Sequence, residues 1–256
     1  MGGDQVEGRQ AVRELLLAGR RRTHEVLLAD DLDRADIIDD IVSLAEELNV
    51  PIRPLRRRQL DNEAVSASPQ GVIARAEPLP DHGLDELVAR PDAFLLVLDG
   101  ITDPGNLGAL LRTAECAGVT GVVLPRHRAA HITPTVAKAA AGAIEHLPMA
   151  LVGGIPAALS VMADAGVVSF GLDAAGSAPL FDLPPAAVTG SVALVMGAEG
   201  PGLSPLVMRR VDLLVAIPLV GELNSLNVAA AGAVACFELV RQRERRRPDP
   251  MHTEPI

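Results

Sequence analysis

The residues with the clearest chemical potential lie near the C-terminal end, in the stretch Val215 to Gly232, which reads VAIPLVGELNSLNVAAAG. A short apolar strand ends there at Ile217-Pro218, and a polar loop leads to Ser225-Leu226-Asn227 and an alanine-rich run. Ser and Asn are typical of a helix start, because their side-chain oxygens accept hydrogen bonds from unpaired N–H groups of the first turn. The same N–H groups can also hold an anionic or polar ligand. A plain helix cap and a ligand site both remain open.

Two other stretches combine polar side chains at close spacing. Asp103 to Ala114 reads DPGNLGALLRTA and places Asn106 and Arg112 in a helical pattern. Val195 to Leu203 reads VMGAEGPGL and carries Glu199 in a glycine-rich loop. This loop does not match GxGxxG, and no GxxxxGK followed by Ser or Thr occurs. A nucleotide-binding oxidoreductase is therefore a disfavoured alternative.

Metal and serine-nucleophile chemistry have little support. His127, His131 and His146 lack an accompanying cluster of cysteines or carboxylates, so we expect no metal site. Ser225 lies in no GxSxG elbow and has no histidine near it in the sequence, so we expect no activated serine nucleophile.

The elements that position these residues follow from the apolar pattern after Ala93. Apolar strands without polar alternation, separated by helices, are typical of a mostly parallel sheet covered on both faces. The strands are predicted at 94–99, 121–125, 167–172, 192–196 and 213–217. The helices are predicted at 107–117, 133–143, 155–165, 205–210 and 226–243. Ligands bind beyond the carboxyl ends of such strands, and the corresponding loops are 99–106, 171–173, 197–202 and 218–224.

The first domain, residues 1–77, is predicted to be a smaller α/β unit. Its helical stripes span 11–16 and 37–48, and its strands are predicted at 25–29, 50–55 and 71–74. Two prolines in the second of these strands suit the edge of a sheet. A proline-rich linker over 78–92, with one short helix, leads to the second domain, residues 93–256.

The net charge and the composition limit the kinds of partner that the protein can bind. The formal net charge of −10 argues against a general nucleic-acid coat. Arginines nevertheless cluster at 20–22, 56–58 and 241–247, and the first two clusters predict an RNA-docking surface, with solvated loop charge as the alternative. Cys116 and Cys236 fall in helical patterns and are expected to be buried free thiols. The polar start and the interrupted apolar runs predict a cytoplasmic protein with no membrane span.

Taken together, the three polar stretches closely resemble, in order and spacing, the three motifs of the SpoU (TrmH) family of RNA 2′-O-ribose methyltransferases, within the SPOUT superfamily. The resemblance covers Phe94 to Arg243 and extends to Thr133-Pro134 and Ala141-Gly142-Ala143. The first domain, with Gly8–Val12 and Gln70-Gly71-Val72, is similar to the ribosomal-protein-like substrate-binding domain of the RlmB-like subgroup.

The resemblance implies a C-terminal trefoil knot, which no local pattern reveals. It also implies a homodimer with its active sites at the subunit interface, and an S-adenosylmethionine site in the knot. The cofactor-binding positions carried over are Gly197, Ile217 and Leu226. The catalytic motif positions carried over are Asn106, Arg112, Glu199, Ser225 and Asn227.

The implied chemistry suits these residue types. A sulfonium methyl is already activated, so its transfer to a ribose 2′-OH needs alignment and removal of a proton rather than a metal. Arg112 is the residue that the resemblance assigns to activating the hydroxyl, although arginine stays charged and is a poor base. We expect Arg112 to hold the adjacent phosphate and stabilise alkoxide charge. Ser225 and Asn227 would orient the ribose and the arginine, while Asn106 and Glu199 fix the motifs against each other.

Two departures from the family pattern occur. Ala229 replaces a common serine, and Pro69 stands where RlmB-like chains usually have histidine. The second departure weakens transfer of the RNA target more than transfer of the reaction. The sequence thus predicts methylation of a guanosine ribose in 23S rRNA. The alternatives are the same chemistry on tRNA or on an rRNA adenosine, as in thiopeptide-resistance enzymes, and a non-catalytic RNA-binding ribosome-assembly protein.

Overall fold

The computed structural model of the protein describes residues 1–33, 35–127 and 131–245, and it contains two separate β-sheets. Arg246 and Arg247 of the predicted basic tail, and the last residues of the second predicted domain, lie outside the described residues. No helix in the described part of the chain is both long enough and apolar enough to cross a membrane.

The first sheet has four strands in the order β1-β4-β2-β3. Its strands are β1 Gln5–Glu7, β2 Thr23–Ala29, β3 Ile52–Leu55 and β4 Val72–Ala76. Three helices accompany it: α1 Arg9–Ala18, α2 Asp36–Glu47 and α3 Arg57–Glu63. Side chains alternate across the sheet, so Val26 packs in the cluster with α1 and α2, whereas Leu27 packs with Leu60 of α3. The predicted edge strand is confirmed as β3, which lies at one end of the sheet.

The second sheet has seven strands in the order β7-β6-β5-β10-β8-β11-β9, and all its pairings are parallel. Its strands are β5 Phe94–Asp99, β6 Gly121–Pro125, β7 Met149–Val152, β8 Val168–Leu172, β9 Ala178–Pro179, β10 Val192–Gly197 and β11 Leu213–Ala216. Its helices are α4 Leu84–Val88, α5 Pro104–Cys116, α6 Pro134–Ala139, α7 Ile155–Asp164, α8 Pro205–Met208 and α9 Val228–Glu244.

The predicted parallel sheet, covered on both faces, is confirmed. Leu96 and Leu98 of β5 belong to a core shared with α5, α6 and α9. Leu95 and Val97 point the other way, into a core shared with α7 and α8. Because both faces of β5 are buried, its sequence is a continuous apolar run rather than an alternating one.

Several elements differ from the prediction. The helix predicted at 133–143 ends at Ala139, because Ala141 and Gly142 have positive φ angles of 50° and 85°. A Cβ on Gly142 would lie 2.4 Å from that of Glu14, so the chain needs glycine where it approaches α1.

The prediction of buried thiols is right for Cys236 but wrong for Cys116, which is exposed at the last position of α5.

The two sheets are joined by a buried ion pair, which we call the junction pair. The guanidinium of Arg21 donates from Nε to Glu145 Oε2 at 2.9 Å and from Nη2 to Oε1 at 2.6 Å. Its Nη1 donates to the carbonyl oxygens of Gly3 and Glu77. The two side chains are only 3% and 1% exposed. Arg21 therefore cannot belong to the predicted RNA-docking surface, because its guanidinium is buried and all three of its nitrogens donate hydrogen bonds within the protein.

Candidate functional site

Loops at the carboxyl ends of β8, β10 and β11 surround a cavity of about 470 Å³. We call it the motif cavity. It lies where a parallel sheet is expected to bind ligands. Its lining comes from three segments, 172–174, 196–202 and 217–231, of which the last contributes non-contiguous residues. Cavities of this size accommodate small molecules.

A chain of side-chain hydrogen bonds connects the three motifs at the edge of the cavity. Asn106 Nδ2 donates to Glu199 Oε2 at 2.8 Å, and Asn227 Nδ2 donates to Asn106 Oδ1 at 3.0 Å. We call these three residues the motif network. Residues up to 121 positions apart in the sequence thus hold the loops in a fixed relation.

The start of α5 determines where Asn106 lies. Asp103 caps the helix by accepting from the backbone N–H of Asn106 at 2.7 Å, and Pro104 occupies the first turn. The backbone of Asn106 is therefore tied to the cap, while its side chain remains free to bridge the other two motifs.

The helix cap at the third motif is Asn227 rather than Ser225. Asn227 Oδ1 accepts from the N–H groups of Ala229 and Ala230 at 2.9 and 3.3 Å, and α9 begins at Val228. Ser225 lies two residues before the cap, lines the cavity and makes no side-chain hydrogen bond to a described residue. The cap interpretation is thus right for Asn227 and wrong for Ser225.

The three predicted cofactor positions all line the motif cavity. Gly197 ends β10, and a Cβ there would lie 2.1 Å from the carbonyl carbon of Gly202, so only glycine fits. The loop closes through paired backbone hydrogen bonds between Ala198 and Gly202. Ile217 is half-buried just after β11, and Leu226 is 44% exposed. At these three positions the cavity wall is therefore backbone and apolar side chains.

Arg112 is the predicted catalytic residue that neither lines the cavity nor joins the motif network. It is exposed on α5, it does not line the cavity, and it forms no ion pair with the described residues. Six residues separate it from Asn106, or roughly 9 Å along the helix axis.

Asp173 was not among the predicted site residues, although the loop 171–173 that carries it was predicted to lie where ligands bind. It follows β8 and lines the cavity. Its Oδ1 accepts from the N–H of Ala175 at 2.8 Å, and its Oδ2 lies 3.3 Å from where a Cβ on Gly202 would be. The position after a parallel strand was the only sequence signal for this residue.

The chemical character of the site is that of a binding and positioning surface. Among the residues that the structure describes, the lining includes two carboxylates, Asp173 and Glu199, and no histidine, lysine or arginine. Within the described ranges, no group of three or more His, Cys, Asp and Glu side chains could hold a metal, and His146 instead lies 3.1 Å from Glu14. The cavity can therefore align polar and cationic ligands.

Comparisons with known proteins agree along the whole chain. The family model described as "SpoU rRNA Methylase family" matches residues 93–237, and that described as "RNA 2'-O ribose methyltransferase substrate binding" matches residues 5–82. The chain is 38% identical to the 23S rRNA (guanosine-2'-O-)-methyltransferase RlmB of Photobacterium profundum, over 95% of this chain and 100% of the relative. It is 43% identical to the RlmB protein of Vibrio cholerae, over 78% of this chain and 81% of the relative.

Solved structures show the same fold. The SpoU methyltransferase AviRb from Streptomyces viridochromogenes, in complex with the cofactor AdoMet, aligns with a TM-score of 0.78 and 25% identity, covering 94% of this chain and 90% of that one. An AdoMet-bound rRNA methyltransferase from Sinorhizobium meliloti aligns with a TM-score of 0.76 at 23% identity, which shows the fold.

Proposed function

Because the chain belongs to the SpoU rRNA methylase family, we propose that it transfers the methyl group of S-adenosylmethionine to the ribose 2′-OH of a guanosine in 23S rRNA. The observation that carries the proposal is the motif network, which ties Asn106, Glu199 and Asn227 together at the edge of a cavity of suitable size.

The residues of the motif cavity fit S-adenosylmethionine. Apolar side chains of Met196, Ile217 and Leu226 offer contacts to an adenine ring, and Gly197 and Gly202 line the cavity without side chains that would narrow it. Asp173 Oδ2 has no hydrogen-bond donor among the described residues, so it can accept from a ribose hydroxyl or face the cationic part of the cofactor. When bound, the cofactor supplies an activated methyl group, and no metal is required.

We assign alignment and charge stabilisation to the protein side chains. Ser225 orients the substrate ribose through its hydroxyl, and the motif network keeps the loops in register. Arg112 holds the phosphate next to the target and stabilises negative charge that develops on the ribose oxygen, while the proton passes to phosphate or water. Its guanidinium remains protonated throughout.

The position of Arg112 supports a homodimer. This residue does not line the motif cavity of its own chain, so a second copy placed at the cavity would supply it. The outward face of α9 carries Val234 and Phe237, which are 37% and 50% exposed, and Val220 and Leu223 next to the cavity are exposed as well. Exposed apolar side chains on α9 and beside the cavity favour an interface. Sedimentation as a monomer at micromolar concentration would refute this part of the proposal.

We further propose the division into a substrate-binding domain at 1–77, a linker at 78–92 and a methyltransferase domain at 93–256. The two family matches at 5–82 and 93–237 support it. The trefoil knot belongs to the same proposal, supported by the SpoU family match over residues 93–237. A cytoplasmic location is part of the same proposal, supported by the 23S rRNA named for the curated relatives.

Methylation of tRNA or of an rRNA adenosine remains the alternative with the same chemistry, and a non-catalytic assembly factor the alternative of another class. The shared name of the curated relatives favours guanosine in 23S rRNA. The intact motif network argues against lost catalysis.

Two experiments test the proposal. Titration calorimetry in the presence of EDTA should show binding of S-adenosylmethionine, and no binding at millimolar cofactor would remove the methyltransferase function. Mapping ribose methylation across rRNA and tRNA, in cells with and without the gene, should reveal one missing 2′-O-methylguanosine in 23S rRNA. A missing methyl group in tRNA, or at an adenosine, would select the alternative substrate.

A further inference from the structure

A second cavity, of about 450 Å³, lies in the first domain, and it is where the two N-terminal motifs meet. Its lining residues are Arg9, Gln10, Ile37, Arg57 and Gln70. Arg9 and Gln10 belong to the motif Gly8–Val12, and Gln70 belongs to the motif Gln70-Gly71-Val72. We call this feature the arginine cavity. None of its residues takes part in the motif network or the motif cavity.

Gln70 fixes Arg9 in place. The backbone N–H of Arg9 donates to Gln70 Oε1 at 3.0 Å, and Arg9 Nε donates to the backbone oxygen of Gln70 at 3.3 Å. Gln70 itself has a positive φ of 56°, which is strained for a residue with a side chain. The strained loop therefore holds the inner part of the Arg9 guanidinium and leaves its two Nη groups without a partner among the described residues.

Arg57 is held in a similar way. Its Nε donates to Asp31 Oδ1 at 2.9 Å. Its Nη1 lies 2.6 Å from where a Cβ on Gly71 would be, so glycine is needed for the guanidinium to reach this position. Both arginines are thus oriented through Nε, while their Nη groups have no acidic partner of their own within the described ranges.

We propose that the arginine cavity binds a backbone phosphate of the RNA substrate. Guanidinium Nη groups form paired hydrogen bonds with phosphate oxygens, and the Nη groups of Arg9 and Arg57 line one cavity without a partner among the described residues. The site lies at the start of α1, where N–H groups and the helix dipole add to the attraction. This inference rests on the proposed function, because it takes RNA as the source of the phosphate.

The site affects RNA affinity and not methyl transfer. It lies on the domain that matches the substrate-binding family model, and the domain contacts the second through Lys138 Nζ, which donates to the backbone oxygen of Ser68 in the loop leading to Gln70. A phosphate held there orients RNA on the first domain, while the cofactor stays in the motif cavity.

The test compares Arg9→Gln and Arg57→Gln with Arg13→Gln. Arg13 lies on the same helix, is also partly exposed and pairs with Asp40, but it does not line the arginine cavity. Affinity for a 23S rRNA fragment is measured across a series of salt concentrations. Each cavity variant should weaken binding by roughly tenfold and lower the salt slope by about one counterion. Arg13→Gln should leave both unchanged, and all variants should bind S-adenosylmethionine as the wild type does.

The outcomes separate the two proposals. Wild-type protein that binds no S-adenosylmethionine would defeat the proposed function, whereas wild-type RNA affinity and salt slope in both cavity variants would overturn this inference alone. Binding of inorganic phosphate that both cavity variants lose, without any change in their RNA affinity, would assign the cavity to a free anion instead. If Arg9→Gln lowers the melting temperature, Arg9→Lys replaces it as the test variant. Arg9→Lys keeps the positive charge but loses the planar guanidinium, so it should recover only part of the RNA affinity.

Discussion

The junction pair and the motif network both connect distant parts of the chain, but they lie in opposite surroundings. Arg21 and Glu145 carry full charges in an almost sealed environment, and every nitrogen of the Arg21 guanidinium donates to the protein. The motif network consists of two amides and one carboxylate, and Glu199 and Asn227 are exposed. The junction pair is buried and leaves no guanidinium nitrogen of Arg21 available to a ligand, whereas the exposed motif network can contact one. Substitutions should therefore separate stability from activity.

The largest expected effect is the loss of methyl transfer in Arg112→Ala. The side chain is exposed and makes no ion pair with a described residue, so its removal should leave the melting temperature unchanged. Turnover should fall by about a thousandfold, or roughly 4 kcal/mol of barrier. A single-turnover assay measures the rate, and Arg209→Ala, which removes another exposed arginine, serves as the control. Equal loss in both variants would remove Arg112 from the mechanism.

Glu145→Ala should show the reverse pattern, in which stability rather than methyl transfer is the property that is lost. It leaves the buried Arg21 charge without its partner, which typically costs about 3–5 kcal/mol of unfolding free energy. Urea denaturation measures the loss, and Glu244→Ala at the exposed end of α9 should cost almost nothing. The double variant Arg21→Met with Glu145→Leu should recover much of the stability, because it removes both charges. A stable Glu145→Ala protein would show that the junction pair does not hold the two sheets together.

Asp173→Asn should weaken cofactor binding by about tenfold, or roughly 1.4 kcal/mol, since it removes a carboxylate from the motif cavity. Calorimetry with S-adenosylmethionine gives the dissociation constant. Asp182→Asn, at an exposed position outside the cavity, is the matched control. Unchanged affinity in Asp173→Asn would mean that the cofactor makes no contact with this loop.

The smallest effects distinguish the two polar residues before α9. Asn227→Ala removes the helix cap and should lower the unfolding free energy by about 1 kcal/mol. Ser225→Ala removes no hydrogen bond to a described residue, so its stability should stay within about 0.5 kcal/mol of wild type while activity falls. Thermal melts and methylation assays on the same samples compare the two. Lower stability with full activity in Ser225→Ala would restore the plain cap interpretation.

The fold could be predicted where it depends on local pattern. Buried strands such as β5 and β10 were visible as apolar runs, and the loops after them were identified as the site. Strands β1 and β7 and helix α3 were missed, because β1 and α3 offer one apolar residue each and β7 follows a proline directly.

Long-range features could not be predicted. The sequence shows Arg21 only as part of a basic run, because its partner lies 124 positions away. No local pattern shows the contacts of Asn106 with Glu199 and Asn227, and the expectation that Asn106 and Glu199 fix the motifs against each other came from the family resemblance. The cap was placed two residues early, since Ser225 and Asn227 are equally good candidates by residue type.

The most direct test of the central claim is methyl transfer in vitro. Purified protein, S-adenosylmethionine with a labelled methyl group and 23S rRNA from cells lacking the gene are incubated together, and the digested nucleosides are identified by mass spectrometry. The label should appear in 2′-O-methylguanosine, and Arg112→Ala should yield almost none. Label on a base, or no label although the protein binds the cofactor, would overturn the proposed methyl transfer.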